Sequence, residues 1–180
     1  MTDIVGLAGS LNLPSRTRAL VEAATRRVTE LSGLRGLVHD LTDLGPGFGT
    51  AQRATDLEPQ ARAVFDRIVA AKALVIGTPV HKGSYAGLFK HLFDLMEPEA
   101  LRGKPVLLTA TGGGLRHALV IEHQLRPLFG FFEADTMPTG VYAGPTDILD
   151  GAIASPEISA RLNAAAGQLV GRLARHPQPA

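Results

Sequence analysis

The sequence predicts a doubly wound α/β domain built on one five-stranded parallel sheet, and three observations point there. Residues 4–8, 73–77 and 106–110 are short, mostly apolar runs ended by Gly, Pro, Ser or Thr, the pattern of strands buried on both faces. Strand and helix candidates alternate strictly along the chain. A length of 180 residues, 45% hydrophobic and 19% charged, matches a single core and excludes a disordered or low-complexity chain.

Taken in order, the strand over residues 4–8 leads into a helix over 17–31. Residues 34–41 form a weaker second strand, because polar residues interrupt it. A helix over 59–70, the strand over 73–77 and a helix over 86–96 follow. The strand over 106–110 feeds a long helix over 115–132, on which Leu115, Ala118, Ile121, Leu125, Leu128 and Phe132 trace one apolar stripe. The last strand, over 135–142, carries Pro138, which suits a sheet edge. A helix over 156–173 closes the domain. Right-handed crossovers then give a three-layer sandwich of the flavodoxin-like kind, with strand order 2-1-3-4-5 and helices on both faces. The single domain spans residues 1–175, and residues 176–180 read as a disordered tail.

Charge and composition exclude several functions. Eighteen Lys and Arg against 17 Asp and Glu leave +1, so no broad basic field is available for nucleic acid or an anionic membrane, and any anion site is local. With no cysteine there is no disulfide, thiolate nucleophile or Cys-rich zinc site, and redox chemistry requires a borrowed cofactor. The chain enters its first apolar run at Ile4 without a basic leader, and no window approaches 18 consecutive apolar residues, so a cytoplasmic protein is expected.

Open α/β sheets bind ligands at the carboxyl ends of their strands, which directs attention to three loops. The first, residues 9–17, offers Ser10, Ser15, Arg16 and Thr17 at a helix N-terminus, where free N–H groups and the dipole favour phosphate. It has neither a dinucleotide nor a triphosphate glycine pattern, which suggests one terminal phosphate. Ser15 also suits a plain helix cap, and the two roles are compatible. The second loop runs through Pro79, Val80, His81, Lys82, Gly83 and Ser84 and suits the edge of a flat ring, with Lys82 stabilising negative charge there. Its other reading is a shaped turn with His81 and Lys82 facing solvent. The third holds Thr111, Gly112, Gly113 and Gly114, costly in chain entropy unless the backbone turns sharply or approaches something closely. Arg116 and His117 either meet a second ligand's phosphate or face solvent. No paired carboxylates, Ser/His/Asp set or metal spacing occurs in these loops, so no catalytic side chain and no metal are expected. A phosphate loop plus two ring-suited loops fits a mononucleotide across the switch point, and FMN is the usual occupant.

The segments 7–17 (Leu-Ala-Gly-Ser, then Ser-Arg-Thr), 77–90 (Gly-Thr-Pro-Val-His-Lys-Gly-Ser-Tyr-Ala-Gly-Leu-Phe-Lys), 92–95 (Leu-Phe-Asp-Leu), 101–105 (Leu-Arg-Gly-Lys-Pro) and 110–113 (Ala-Thr-Gly-Gly) together resemble the NAD(P)H-dependent FMN reductases over about residues 2–149. Within that family the sequence is most similar to the reductase components of two-component sulfonate monooxygenase systems. The resemblance implies hydride transfer from NADH or NADPH to FMN and delivery of reduced FMN to a partner flavin-dependent monooxygenase. It places Ser10, Ser15, Arg16 and Thr17 around the phosphate, Pro79, Val80, His81, Lys82, Gly83 and Ser84 along the ribityl chain and ring, and Thr111, Gly112 and Gly113 on the ring's other side. It also implies a one-residue π-type insertion in the helix through Glu122 to Pro127, where the alkanesulfonate enzyme has Tyr in place of His123. By its neighbours alone, His123 reads as a subunit-contact residue.

Two rivals share much of this pattern: a quinone, azo or metal-oxyanion reductase with tightly bound FMN, and a non-enzymatic flavodoxin-type electron carrier. The near-neutral charge argues against the carrier. The phenylalanines 129, 131 and 132, with Leu128, exceed what one helix buries against one sheet face. They suit either a homodimer or homotetramer interface or the core.

Overall fold

A computed structural model describes residues 3–175; the expected tail at 176–180 lies outside the described residues. The strands are β1 (Ile4–Ala8), β2 (Gly36–Asp40), β3 (Ala73–Pro79) and β4 (Pro105–Thr111). Every residue of β1 and β4 is buried, so both faces of the sheet centre need cover. The pairing is parallel throughout, with Ile4 opposite Gly36 on one side and Ala73 on the other, and Leu74 opposite Val106. Two short segments, β5 (Asp135–Thr136) and β6 (Val141–Ala143), share the outer side of β4. The order β2-β1-β3-β4-β5 is the predicted one.

Side-chain alternation divides the core. Val5, Leu7, Leu74, Ile76, Val106 and Leu108 pack under α2 (Pro59–Ala70), α3 (Gly87–Asp94) and α4 (Arg126–Phe131). Ile4, Ala8, Val75 and Leu107 pack under α1 (Arg16–Ser32) and α5 (Pro156–Arg175). Each fully buried Leu, Ile or Phe contributes about 1.5–3 kcal/mol. Helix α1 lies unusually close to the sheet: a Cβ on Gly77 would stand 2.4 Å from Val21 Cγ2, and one on Gly6 2.6 Å from Thr25 Oγ1. Among the described residues no helix is long and apolar enough to cross a membrane.

Two expectations are corrected, and one element appears that was not expected. The helix over 115–132 is broken at its start by a 3-10 turn over Leu115–His117 with no side chain capping it, and continues as a π-helix over Ile121–Leu125, the insertion the family resemblance implies, and then α4. Leu115 is therefore off the stripe and 82% exposed. The π turn is closed by Arg126 N–H donating to the Ile121 carbonyl, just before Pro127, which has no N–H to donate. The last strand is split, because residues 137–140 bulge away at Pro138. Their freed carbonyls are met by side chains: Arg126 Nη1 and Nη2 donate to Met137 O at 2.8 Å and Pro138 O at 2.6 Å, and Arg161 Nε donates to Gly140 O at 2.7 Å. Finally, a small hairpin of β7 (Ile148–Leu149) and β8 (Ala152–Ile153) turns through Asp150 and Gly151 at φ 49° and 77°. That Asp-Gly pair is its sequence signal. The phenylalanines divide as well: Phe129 and Phe132 are core, with Phe129 edge-on to Phe93 at 5.0 Å, whereas Phe131 is 66% exposed.

At the N-terminal edge of the sheet, Lys104 is buried with its Nζ donating to Val69 O at 2.6 Å and Ala71 O at 2.5 Å, which caps the C-terminus of α2. Burial lowers its ammonium from 10.5 to about 8. Because the folded value lies below the unfolded one, the penalty is fully present below pH 8, and stability rises with pH between about 8 and 10 as the unfolded chain holds the extra proton. Unfolding free energies should therefore increase on the order of 2 kcal/mol more across this window in the wild type than in Lys104→Met. Parallel pH profiles of the two proteins would remove Lys104 as the source.

Candidate functional site

The carboxyl ends of β1, β3 and β4 open into one crevice, at the point where the connections leave β1 and β3 for opposite faces. Ser15 is the extended residue before α1, at φ −125° and ψ 117°, and its hydroxyl accepts from Arg18 N–H at 3.1 Å. The cap is thus made, while the Ser15 O–H remains available as a donor. Arg16, the first helical residue, is exposed. Arg18 is different: its Nη1 meets Asp40 Oδ2 at 2.5 Å and its Nε meets Glu22 at 2.7 Å. Burial pushes the Asp40 carboxyl up, but hydrogen bonds from the Thr42 hydroxyl, Arg18 and the Thr42 N–H outweigh it and hold the carboxyl below its usual value. Arg18 is consequently neutralised, whereas among the described residues no salt bridge holds Arg16.

The floor is made of hydroxyls. Ser10 is buried and accepts from Asn12 N–H at 3.2 Å. Thr17 and Thr111 are buried and share a 2.7 Å hydrogen bond that ties α1 to the end of β4. In the second loop, Val80 N–H donates to Thr111 O at 2.7 Å. Thr78 Oγ1 accepts from Ala86 N–H at 3.2 Å, closing the loop at its base. His81 and Ser84 exchange backbone hydrogen bonds of 2.8 and 3.1 Å around a two-residue turn, with Lys82 at φ 52° and Gly83 at φ 90°. This geometry admits glycine freely and a lysine only at a cost.

The third loop owes its glycines to two different neighbours. A Cβ on Gly112 would stand 2.3 Å from Tyr142 Oη, whereas one on Gly113 would meet nothing within 4 Å and would project into open space. Tyr142, from β6, donates its hydroxyl to Gly114 O at 2.7 Å. Burial pushes that hydroxyl above its ordinary value, so it stays a donor.

The crevice has a volume of about 230 Å³ and brings together Ser10, Ser15, Arg16 and Thr17, Pro79, Val80 and His81, and Thr111, Gly112 and Gly113. Lys82, Gly83 and Ser84 do not line it. Lys82 and Gly83 form the exposed tip of the turn, and Ser84 Oγ donates to Gln124 Oε1 of the π-helix at 3.0 Å. His123, beside Gln124, is exposed. Asn12 and Pro14 line the crevice although sequence reasoning gave them no role. Tyr142 was also missed, because inside a strand it reads as core. Its only signal is that one of two tyrosines in the chain follows a glycine run able to receive it. Among the described residues no group of three His, Asp or Glu is placed to hold a metal ion.

Residues 2–147 match the family described as NADPH-dependent FMN reductase. The chain belongs to the NADPH-dependent FMN reductase family. It is 43% identical over 163 residues to "FMN reductase (NADPH)" of Pseudomonas aeruginosa, covering 91% of this chain and 88% of the relative. It is 42% identical over 179 residues to "NADH-dependent FMN reductase SfnF" of Pseudomonas fluorescens, covering 98% and 94%. Among solved structures, the NADH:FMN oxidoreductase EMOB superposes with a TM-score of 0.84 at 25% identity, covering 99% of this chain and 92% of that one.

The residues present suit the family's flavin. Arg16, without a salt bridge among the described residues and at the start of a 17-residue helix, suits a phosphate dianion. Bare backbone at Gly113 suits the face of a ring, and no carboxylate lines the crevice to repel either. Replacing Gly112 by Ala should displace Tyr142, destabilise the fold by about 1–3 kcal/mol and weaken flavin binding, while Gly113→Ala leaves stability within about 0.5 kcal/mol. Denaturant unfolding of both variants checks this. Adding Tyr142→Phe to Gly112→Ala, which removes the nearest clashing atom, should recover part of the loss.

Proposed function

We propose that the crevice binds FMN with its phosphate at the start of α1, and that the protein reduces FMN with NADH or NADPH. The convergence of three carboxylate-free loops on one crevice carries this reading. FMN supplies the chemistry when bound, accepting hydride at ring N5. The chain's residues bind and orient. Ser10, Ser15 and Arg16 serve the phosphate, with Thr17 and Thr111 holding the floor beneath it. Pro79, Val80 and His81 offer a wall for the ribityl chain and ring edge, with Gly83 admitting the positive φ of the turn and Ser84 tying it to Gln124. Gly112 and Gly113 offer bare backbone to the ring, and Lys82 at the turn tip is the cation available to negative charge there. Hydride transfer depends on holding the reacting atoms roughly 3–3.5 Å apart, so positioning is the main demand on the protein.

The resemblance to reductases that supply free reduced flavin supports a flavin that exchanges, rather than a permanent prosthetic group. We therefore read the protein as a supplier of reduced FMN to a separate flavin-dependent monooxygenase of the sulfonate type, working in the cytoplasm as a homodimer or homotetramer. The resemblance in sequence supports the partner and the assembly.

Steady-state oxidation of NADH and NADPH against free FMN, FAD and riboflavin, with the flavin content of the purified protein recorded, tests the proposal. Rates should saturate with added FMN, and the purified protein should hold much less than one flavin per chain. Full occupancy with rates indifferent to added FMN would overturn the exchange. Arg16→Ala should weaken FMN binding roughly 10- to 100-fold, the loss of one charge-assisted phosphate contact, while reduction of FMN-saturated protein changes less than about threefold. The opposite pattern would remove Arg16 from the phosphate. Lys82→Met should alter flavin affinity or reduction rate, and unchanged kinetics would exclude it.

A further inference from the structure

Acidic residues are distributed unevenly over the molecule. Away from the crevice many cations are neutralised at short range, among them Arg18 by Asp40 and Glu22, Arg62 by Asp66, Lys72 by Asp3, Arg102 by Glu133, Arg126 by Glu122 and Arg172 by Asp135, whereas Arg35, Arg53, Arg67 and Arg161 are in no salt bridge among the described residues. The three crevice loops, residues 9–17, 78–87 and 109–117, contain Arg16, His81, Lys82, Arg116 and His117 and no Asp or Glu. Among the described residues no salt bridge neutralises Arg16, Lys82 or Arg116.

Arg116 differs from Arg16 in not lining the crevice. It follows the glycine run on the adjoining lip, exposed, and its Nε donates to the ring Nε2 of His117 at 3.2 Å. An arginine held by a carboxylate has its charge largely cancelled. Here a ring nitrogen accepts from Nε and leaves the guanidinium's charge and both Nη groups free, an arrangement that suits two-point capture of a phosphate. A dinucleotide brought to the bare Gly113 backbone carries a diphosphate, and in NADPH a further 2′-phosphate, while Arg16 is already matched to the flavin phosphate. The adjoining lip therefore requires a second cation.

We propose that Arg116, steadied by His117, binds a phosphate of the nicotinamide dinucleotide. The assignment rests on the reading of the crevice as the flavin site. Titration calorimetry of the wild type, Arg116→Ala and His117→Asp with NAD+ and with NADP+, alongside FMN affinity from flavin fluorescence, tests it. Arg116→Ala should weaken a dinucleotide about tenfold, equivalent to about 1.4 kcal/mol, with FMN affinity changed less than twofold. His117→Asp, which sets a carboxylate beside the guanidinium, should do the same. Weakening of NADP+ alone assigns the 2′-phosphate, and equal weakening of NAD+ and NADP+ assigns the diphosphate. Unchanged binding of both, no dinucleotide binding by the wild type, or an equal fall in FMN affinity would overturn the proposal. A wild type that binds NADP+ but not FMN would instead overturn the flavin reading and leave Arg116 standing.

Discussion

The approach of α1 to the sheet is the constraint from which the rest of the site follows. At Gly77 and Gly6 the helix lies so close that a methyl group on the strand would collide with Val21 or Thr25. Small residues on β1 and β3 thus set the height of α1, and with it the position of its first turn. Two further contacts fix the helix around its axis: Arg18 to Asp40 at the end of β2, and Thr17 to Thr111 at the end of β4. With four strands holding one helix, Ser15 and Arg16 have little freedom in where they face. A lifted helix would keep the same residues and lose the geometry.

Electrostatics builds on this scaffold by omission. The net charge of +1 conveys nothing about the crevice, because every Asp and Glu of the chain lies outside the three loops and offsets their cations only at a distance. What matters is that the loops carry cations without counterions, so the local field is positive in a nearly neutral molecule. Hydride chemistry has little need of side-chain acids or bases, and this accounts for a site made of hydroxyls, glycines and fixed positive charge.

The fold was legible where one physical cause acts alone. The runs at β1, β3 and β4 are apolar because both faces are covered, and Pro59 to Ala70 was read correctly because its stripe faces one core. Legibility failed where tertiary partners replace regular backbone bonds. The bulge at 137–140 depends on Arg126 and Arg161, which lie on other elements, and the break after Gly114 depends on a 3-10 turn that apolar spacing cannot distinguish from a helix. The same holds for the site. The crevice loops stood out as odd composition, yet the need for Gly112 comes from Tyr142, 30 positions away, which no local pattern links to it. The motif Leu101 to Pro105 likewise resembled part of a functional signature, whereas Lys104 caps α2 at the opposite edge of the sheet.

The Thr17–Thr111 hydrogen bond spans 94 positions of sequence. Loop closure over such a distance is among the slower steps of assembly, and it requires β4 to be docked beside β3. A growing chain on the ribosome therefore has no crevice floor until more than half of its length has been synthesised. With the crevice as the proposed flavin site, flavin capture reports a completed fold rather than assisting an early one, and a ligand that binds only this state raises its stability by mass action. In a cell short of flavin, the fraction of molecules open to proteolysis would rise accordingly.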